Sequence, residues 1–122
     1  MAERAPFAAF ADIVNGGWKT LPFEPFRGGI EIHRLYGDGR DGPAAAILKY
    51  APGAAAPLHE HTGYEHILML EGEQEDEHGT YGAGALVINE PGSRHSVWSP
   101  DGCVALLIWE KPVRFVETED EA

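Results

Sequence analysis

Two imidazoles and a carboxylate stand close together in the stretch Gly53-Ala-Ala-Ala-Pro-Leu-His59-Glu60-His61-Thr-Gly-Tyr-Glu65-His66-Ile-Leu-Met-Leu-Glu-Gly72. In an extended strand alternate side chains point to one face. His59 and His61 therefore point the same way, Glu65 shares their parity, and Glu60 and His66 have the opposite one. Two His on one face with a carboxylate in reach form the ligand set of a divalent-metal site. A fourth ligand must come from elsewhere in the chain.

The elements that must position these groups read as short strands. Gly29-Ile-Glu-Ile-His-Arg-Leu-Tyr36 alternates apolar and polar residues, as a half-buried strand does. A glycine-rich polar turn follows, then a strand over 44–51, ended by Pro52-Gly53. The ligand stretch supplies strands at 57–61 and 65–71, with Gly72 breaking the second. Further strands are expected at 85–89, 95–99, 103–109 and 113–116, the run Cys103–Trp109 being the most apolar and so central. The acidic run Glu73-Gln-Glu-Asp-Glu-His-Gly79 reads as an exposed hairpin. Many short strands punctuated by turns, with no amphipathic helix after residue 20, predict an all-β sandwich or barrel.

Before the first strand, Phe7, Phe10, Ile13 and Val14 have roughly helical spacing, which suits a short helix or turn ended at Asn15-Gly16-Gly17. Two prolines in Leu21-Pro-Phe-Glu-Pro-Phe26 forbid regular helix there. The organisation expected is an N-terminal arm over 1–28, packing on the barrel or on a second subunit, a barrel over 29–116, and a charged tail over 117–122.

Composition excludes several functions. The 122 residues suffice for one domain. A net charge of −11 argues against nucleic acid and against anionic membrane surfaces, both of which need clustered cations. A single cysteine, Cys103, precludes an intrachain disulfide, and no stretch approaches membrane-spanning length, so a cytoplasmic protein is expected.

The spacing Gly53, His59, His61, Glu65, Gly72 matches without a gap the first motif of the cupin superfamily, which this stretch resembles. The second cupin motif is also present. Gly84 and Gly92 fall in register and His95 takes the histidine position, although Glu90 replaces the usual Pro and Ser99 the usual Asn. More narrowly, Glu65-His-Ile-Leu-Met-Leu-Glu-Gly72, Asp76-Glu-His-Gly79, Pro91-Gly-Ser-Arg-His95 and Asp101-Gly-Cys103 resemble the cupin domain of ChrR-type anti-sigma factors. That group is similar in turn to small metal-dependent dioxygenases, including the acetylacetone-cleaving enzyme. The likeness runs from about residue 18 to about residue 112.

The resemblance implies a cupin double-stranded β-helix, a jelly-roll barrel with a short N-terminal arm, holding one divalent metal through His59, His61, Glu65 and His95. Such a donor set suits Fe, Mn, Ni or Zn without choosing among them. Glu65 is the least secure ligand, since the similar diketone-cleaving enzyme uses three His. Two functions follow as expectations. One is a small metal-dependent oxygenase acting on an oxygen-chelating small molecule. The other is a non-catalytic ChrR-like sensor or ligand-binding module. The full anti-sigma factor carries a separate helical zinc domain with its own His and Cys ligands, for which this chain has no room and only one cysteine, so sigma-factor inhibition by that route is not expected.

Other candidate residues have plainer readings. His66 faces away from the ligands, His33 suits a hydrogen-bonded structural role, and His78 in the acidic turn is expected to be solvated. Cys103, opening an apolar strand, reads as a buried thiol. The acidic residues 71–77 read as a solvated face rather than a second cation site. Tyr64, Met69, Trp98 and Trp109 suit a pocket lining, the core or a dimer contact alike. Strand 65–71 is apolar on both faces, which together with Trp18, Phe23 and Phe26 predicts a homodimer.

Overall fold

The computed structural model of the chain describes residues 7–116; the expected tail at 117–122 and the first six residues of the arm lie outside them. Among these described residues ten antiparallel strands follow one another: β1 (Glu24–Arg27), β2 (Ile30–Tyr36), β3 (Ala44–Tyr50), β4 (Ala55–His61), β5 (Glu65–Asp76), β6 (Gly79–Gly82), β7 (Leu86–Asn89), β8 (Arg94–Trp98), β9 (Cys103–Trp109) and β10 (Val113–Phe115). Their order in the sheet is β1-β2-β3-β9-β5-β8-β4-β10, with β6 and β7 also paired to β5. No helix among the described residues is long and apolar enough to cross a membrane.

β5 holds this architecture together. Its first half pairs with β9 on one side and β7 on the other, and its last residues pair with β6 and touch β8. The expected break at Gly72 is absent. Gly72 lies beside a register shift between Met69 and Glu71, with φ of 74°. An added Cβ there would sit 2.4 Å from the Gly102 carbonyl oxygen. Gly72 therefore lets the strand kink and carry on from one face of the barrel to the other, as glycine bulges do, and does not end it.

The inward faces pack one core, in which Ile32, Leu48, Ile67, Met69, Ala105 and Leu107 are all buried. β3 is buried along almost its whole length because its outer face is covered too. The cover is the N-terminal segment. Short 3-10 turns over Ile13–Asn15 and Gly17–Thr20, separated by the left-handed Gly16, take the place of a regular helix. They set Trp18 against Ile47, Leu70 and Val104, with Leu68 and Leu106 alongside. Residues 24–27, read from the sequence as part of the arm, form edge strand β1 against β2. Pro25 on that edge costs no sheet hydrogen bond that a neighbour needs.

Candidate metal centre

β4 and β8 run antiparallel with His59 directly opposite His95. His61 follows two residues along β4 on the same inward face, as alternation requires. Glu65 begins β5 after the turn at 62–64, and its pairing with Trp109 and Asn89 aims it at the same point. All four side chains are buried. One ligand atom from each lies within 4.8 Å of all the others. The three imidazoles stand nearly perpendicular to one another, with ring centroids 4.7–5.1 Å apart. The residues predicted from the sequence are thus brought together.

The surrounding oxygens fix which nitrogen of each ring faces inward. His59 Nδ1 lies 2.8 Å from the Pro57 carbonyl, His61 Nδ1 lies 3.1 Å from the Ser93 carbonyl and 2.9 Å from its Oγ, and His95 Nδ1 lies 3.0 Å from Asp76 Oδ2. A carbonyl or carboxylate only accepts, so each Nδ1 carries the proton and donates it. Each Nε2 then offers a lone pair to the centre. Among the described residues, His61 Nε2 and His95 Nε2 are the buried side-chain nitrogens and oxygens without a hydrogen-bond partner. Such an orphan costs about 1–3 kcal/mol and calls for a reason.

His61 Nε2 also lies 3.1 Å from Glu65 Oε1. With the proton on Nδ1, this contact sets a nitrogen lone pair against a carboxylate oxygen. Only a cation or an extra proton between them makes it favourable. The donor set therefore fits a divalent metal, and its hard and borderline ligands suit Fe, Mn, Ni or Zn alike. Glu65 is held in place by the Asn89 side-chain amide, which donates to Oε1 at 3.0 Å. Burial works against its ionisation, but positive charge at the His61 contact and at the other two rings outweighs it, so its carboxyl is held below the usual carboxylate range. Burial pushes His59 below the ordinary imidazole value, against the opposing hydrogen bond to Pro57, which favours the neutral ring that a metal requires.

Asp76 is the functional residue that the sequence reading missed. The acidic run is not a solvated face throughout. Gln74 and Asp76 are buried, Glu75 accepts from the Trp98 indole at 2.7 Å, and Glu77 accepts from the Ser96 amide and hydroxyl. Asp76 accepts from His95 through Oδ2, and from the His78 amide, the Gly79 amide and the Tyr81 hydroxyl through Oδ1. Burial raises its pKa, but these donors more than reverse that and leave it below the ordinary aspartate value. The signal lay in the alternation. Gln74 is uncharged between Glu73 and Glu75, and Asp76 shares its parity and starts a turn closed by Gly79.

A cavity of about 370 Å³ adjoins the cluster, and His59, Glu65 and His95 form part of its wall. Ile32, Leu48, Ile67, Val97 and Leu107 make most of the remainder apolar. Tyr50 and Gln74 add polar groups. Burial pushes the Tyr50 phenol well above its ordinary value, helped by the nearby Cys103 thiol and Glu65, so it stays an O–H donor. Of the other candidates, His66 is half-buried away from the cluster, His33 Nδ1 meets the Pro22 carbonyl at 2.8 Å, and His78 is exposed. Cys103 is buried, and burial raises its thiol pKa.

The ChrR cupin-like domain family matches residues 15–114. The anti-sigma-E factor ChrR of Cereibacter sphaeroides is 33% identical over 115 residues, covering 92% of this chain and 52% of that protein. The chain thus spans about half the length of that curated relative. The crystal structure of Rhodobacter sphaeroides SigE in complex with the anti-sigma ChrR matches with a TM-score of 0.65 and 27% identity, over 75% of this chain and 49% of that one. An acetylacetone dioxygenase from Acinetobacter johnsonii matches with a TM-score of 0.74 over 98% of this chain and 83% of that one. At 18% identity this last likeness shows the fold alone.

Proposed function

The chain belongs to the ChrR cupin-like family, and we propose that within it this protein is a small metal-dependent oxygenase acting on an oxygen-chelating small molecule. The observation that carries the reading is the convergence of His59, His61, Glu65 and His95 beside a substrate-sized cavity. The Nε2 atoms of the three histidines and one oxygen of Glu65 would hold a divalent metal. Once bound, that metal supplies Lewis acidity and a template for a substrate with adjacent oxygens.

The chain's own residues do the rest. Pro57, Ser93 and Asp76 hold the rings in one tautomer and orientation, so no reorganisation is needed on loading. Asn89 keeps one Glu65 oxygen engaged. Ile32, Leu48, Ile67, Val97 and Leu107 keep bulk water from the bound molecule, and Tyr50 offers a proton-bearing hydroxyl at the wall. Anaerobic iron reconstitution followed by O₂-uptake assays on small β-diketones tests the reading. Uptake that depends on both iron and diketone is expected. Its absence with every diketone at full iron loading would contradict catalysis.

The second reading is a non-catalytic metal-binding sensor or ligand-binding module. It is favoured by the 33% identity to an anti-sigma factor, of which the chain matches about half. Native zinc in a closed tetrahedral site would support it, whereas iron or manganese with open positions supports the enzyme.

A further inference from the structure

The charge around the cavity runs against the charge of the protein. Of the chain's 9 Lys and Arg against 20 Asp and Glu, three cations, Arg27, Arg34 and Arg40, line this cavity, with only Asp38 and Glu65 on the acidic side. Glu65 belongs to the ligand cluster. Asp38 is already engaged, its Oδ1 accepting from the Arg40 and Asp41 backbone amides at 2.8 and 3.1 Å. Among the described residues no ion pair is made by any of the three arginines. Three of the nine cations set around one cavity of an otherwise acidic protein favour an anion there.

Arg27 has the most specific placement. It is half-buried, and its guanidinium lies 4.1 Å from the centroid of the Phe115 ring. Phe115 in turn packs against His59 at 5.6 Å between centroids. One aromatic ring therefore separates a fixed guanidinium from the ligand cluster. Guanidinium is the group best matched to a carboxylate, through two parallel hydrogen bonds. Between these polar ends the wall is apolar. The volume lies near the lower end of the range for small-molecule sites, which bounds the occupant to a small molecule.

We propose that the cavity takes a small carboxylate with an apolar body, its carboxylate at Arg27 and its distal oxygen donors at the four-ligand cluster. This deepens the functional reading of the same site and rests on it for the distal end only.

A matched pair of probes tests it: heptane-2,4-dione, and 4,6-dioxoheptanoate, which has the same skeleton with the terminal methyl of the propyl arm replaced by a carboxylate. Affinities are measured by calorimetry on the full chain, metal-free and metal-loaded, for the wild type, Arg27→Gln and Arg27→Lys. The wild type is expected to prefer the acid about tenfold or more, as one charge-assisted contact provides. Arg27→Gln should bring the two probes within about twofold of each other, and Arg27→Lys should keep part of the preference. Added salt should narrow the wild-type preference, which keeps the test open if the Gln variant fails to fold. Equal affinity in the wild type, an intact preference in Arg27→Gln, or binding of neither probe overturns the proposal. Preference for the acid in a protein that takes up no metal would sink the metal reading and leave this one standing. Metal uptake without that preference would do the reverse.

Discussion

Replacing Asp76 by Asn changes one atom and should disable a ligand that it never displaces. In the wild type, Asp76 Oδ2 accepts the His95 Nδ1 proton at 3.0 Å. The three donors on Oδ1, namely the His78 and Gly79 amides and the Tyr81 hydroxyl, keep an oxygen there in the variant. The new amide nitrogen then occupies the Oδ2 position and faces His95. It donates and cannot accept, so His95 must turn its lone pair towards it and move its proton to Nε2. The protonated Nε2 points into the cluster and no longer ligates. Loss of a hydrogen-bond partner of this kind lowers metal affinity by about 10–100-fold, or about 1.4–2.7 kcal/mol. The metal-free fold should lose about 1.5–3 kcal/mol, the worth of a hydrogen bond to a charged group. Competition against a chromophoric chelator with zinc and manganese measures the first quantity. Nitrogen-15 NMR of His95 reports the tautomer. Tyr81→Phe is the control: it removes a donor from Oδ1, leaves His95 untouched, and should hold metal affinity within about threefold at a stability cost of about 1 kcal/mol. An Asp76→Asn protein that folds, keeps the wild-type tautomer and binds metal within about twofold of wild type would refute this reasoning.

Other outcomes follow from the same structure. Trp18→Ala empties the space over Ile47, Leu70 and Val104 and should cost about 3–5 kcal/mol in urea unfolding; a loss under 1 kcal/mol, roughly the worth of a single buried methylene, would mean that the N-terminal segment does not seal that face. The Asp76 carboxyl is depressed in the fold, so its contribution is complete above the ordinary aspartate value of 3.8 and is lost as pH falls through the folded value. The stability gap between wild type and Asp76→Asn should therefore be flat near neutrality and close only in acid; a gap that already closes at about pH 6, well above the carboxylate range, would contradict this. We also propose that the homodimer expected from the sequence forms through the outer sheet face, where Leu86, Ile88 and Ile108 are 58%, 52% and 41% exposed, Leu86 opposite Leu68 of β5 and Ile88 and Ile108 on either side of His66. Sedimentation should give twice the chain mass, and Ile88→Glu should give the monomer. A monomeric wild type contradicts this.

The ligand pair on β4 was legible because strand alternation is a local rule: His59 and His61 needed only an extended backbone to share a face. Glu65 is a different case. A turn at 62–64 lies between it and β4, so parity counted through the turn says nothing, and its place is set by pairing of β5 with β7 and β9. Strand ends at Tyr36 and Trp109 could be read from the glycines and prolines that follow them, and the end at Tyr50 was placed one residue too far along, at Ala51. Gly72 misled, because a left-handed glycine beside a bulge looks in sequence like one that ends a strand. Carrying β5 past Gly72 is what buries Gln74 and Asp76, so the missed bulge and the missed carboxylate are one omission. Trp18 was visible as apolar area to be covered, but not where it lands, since that depends on contacts with β3, β5 and β9 far along the chain.

The central claim is that three imidazoles in a fixed tautomer and one carboxylate hold a metal. Elemental analysis of the chain, purified without chelator or affinity tag, tests this most directly beside a His59→Ala/His61→Ala variant. The account predicts about one divalent transition metal per chain in the wild type, given the tetrad's four converging ligand atoms, and none in the folded variant. A metal-free wild type that also fails to take up added iron, manganese, nickel or zinc would contradict it, as would equal metal in the two proteins.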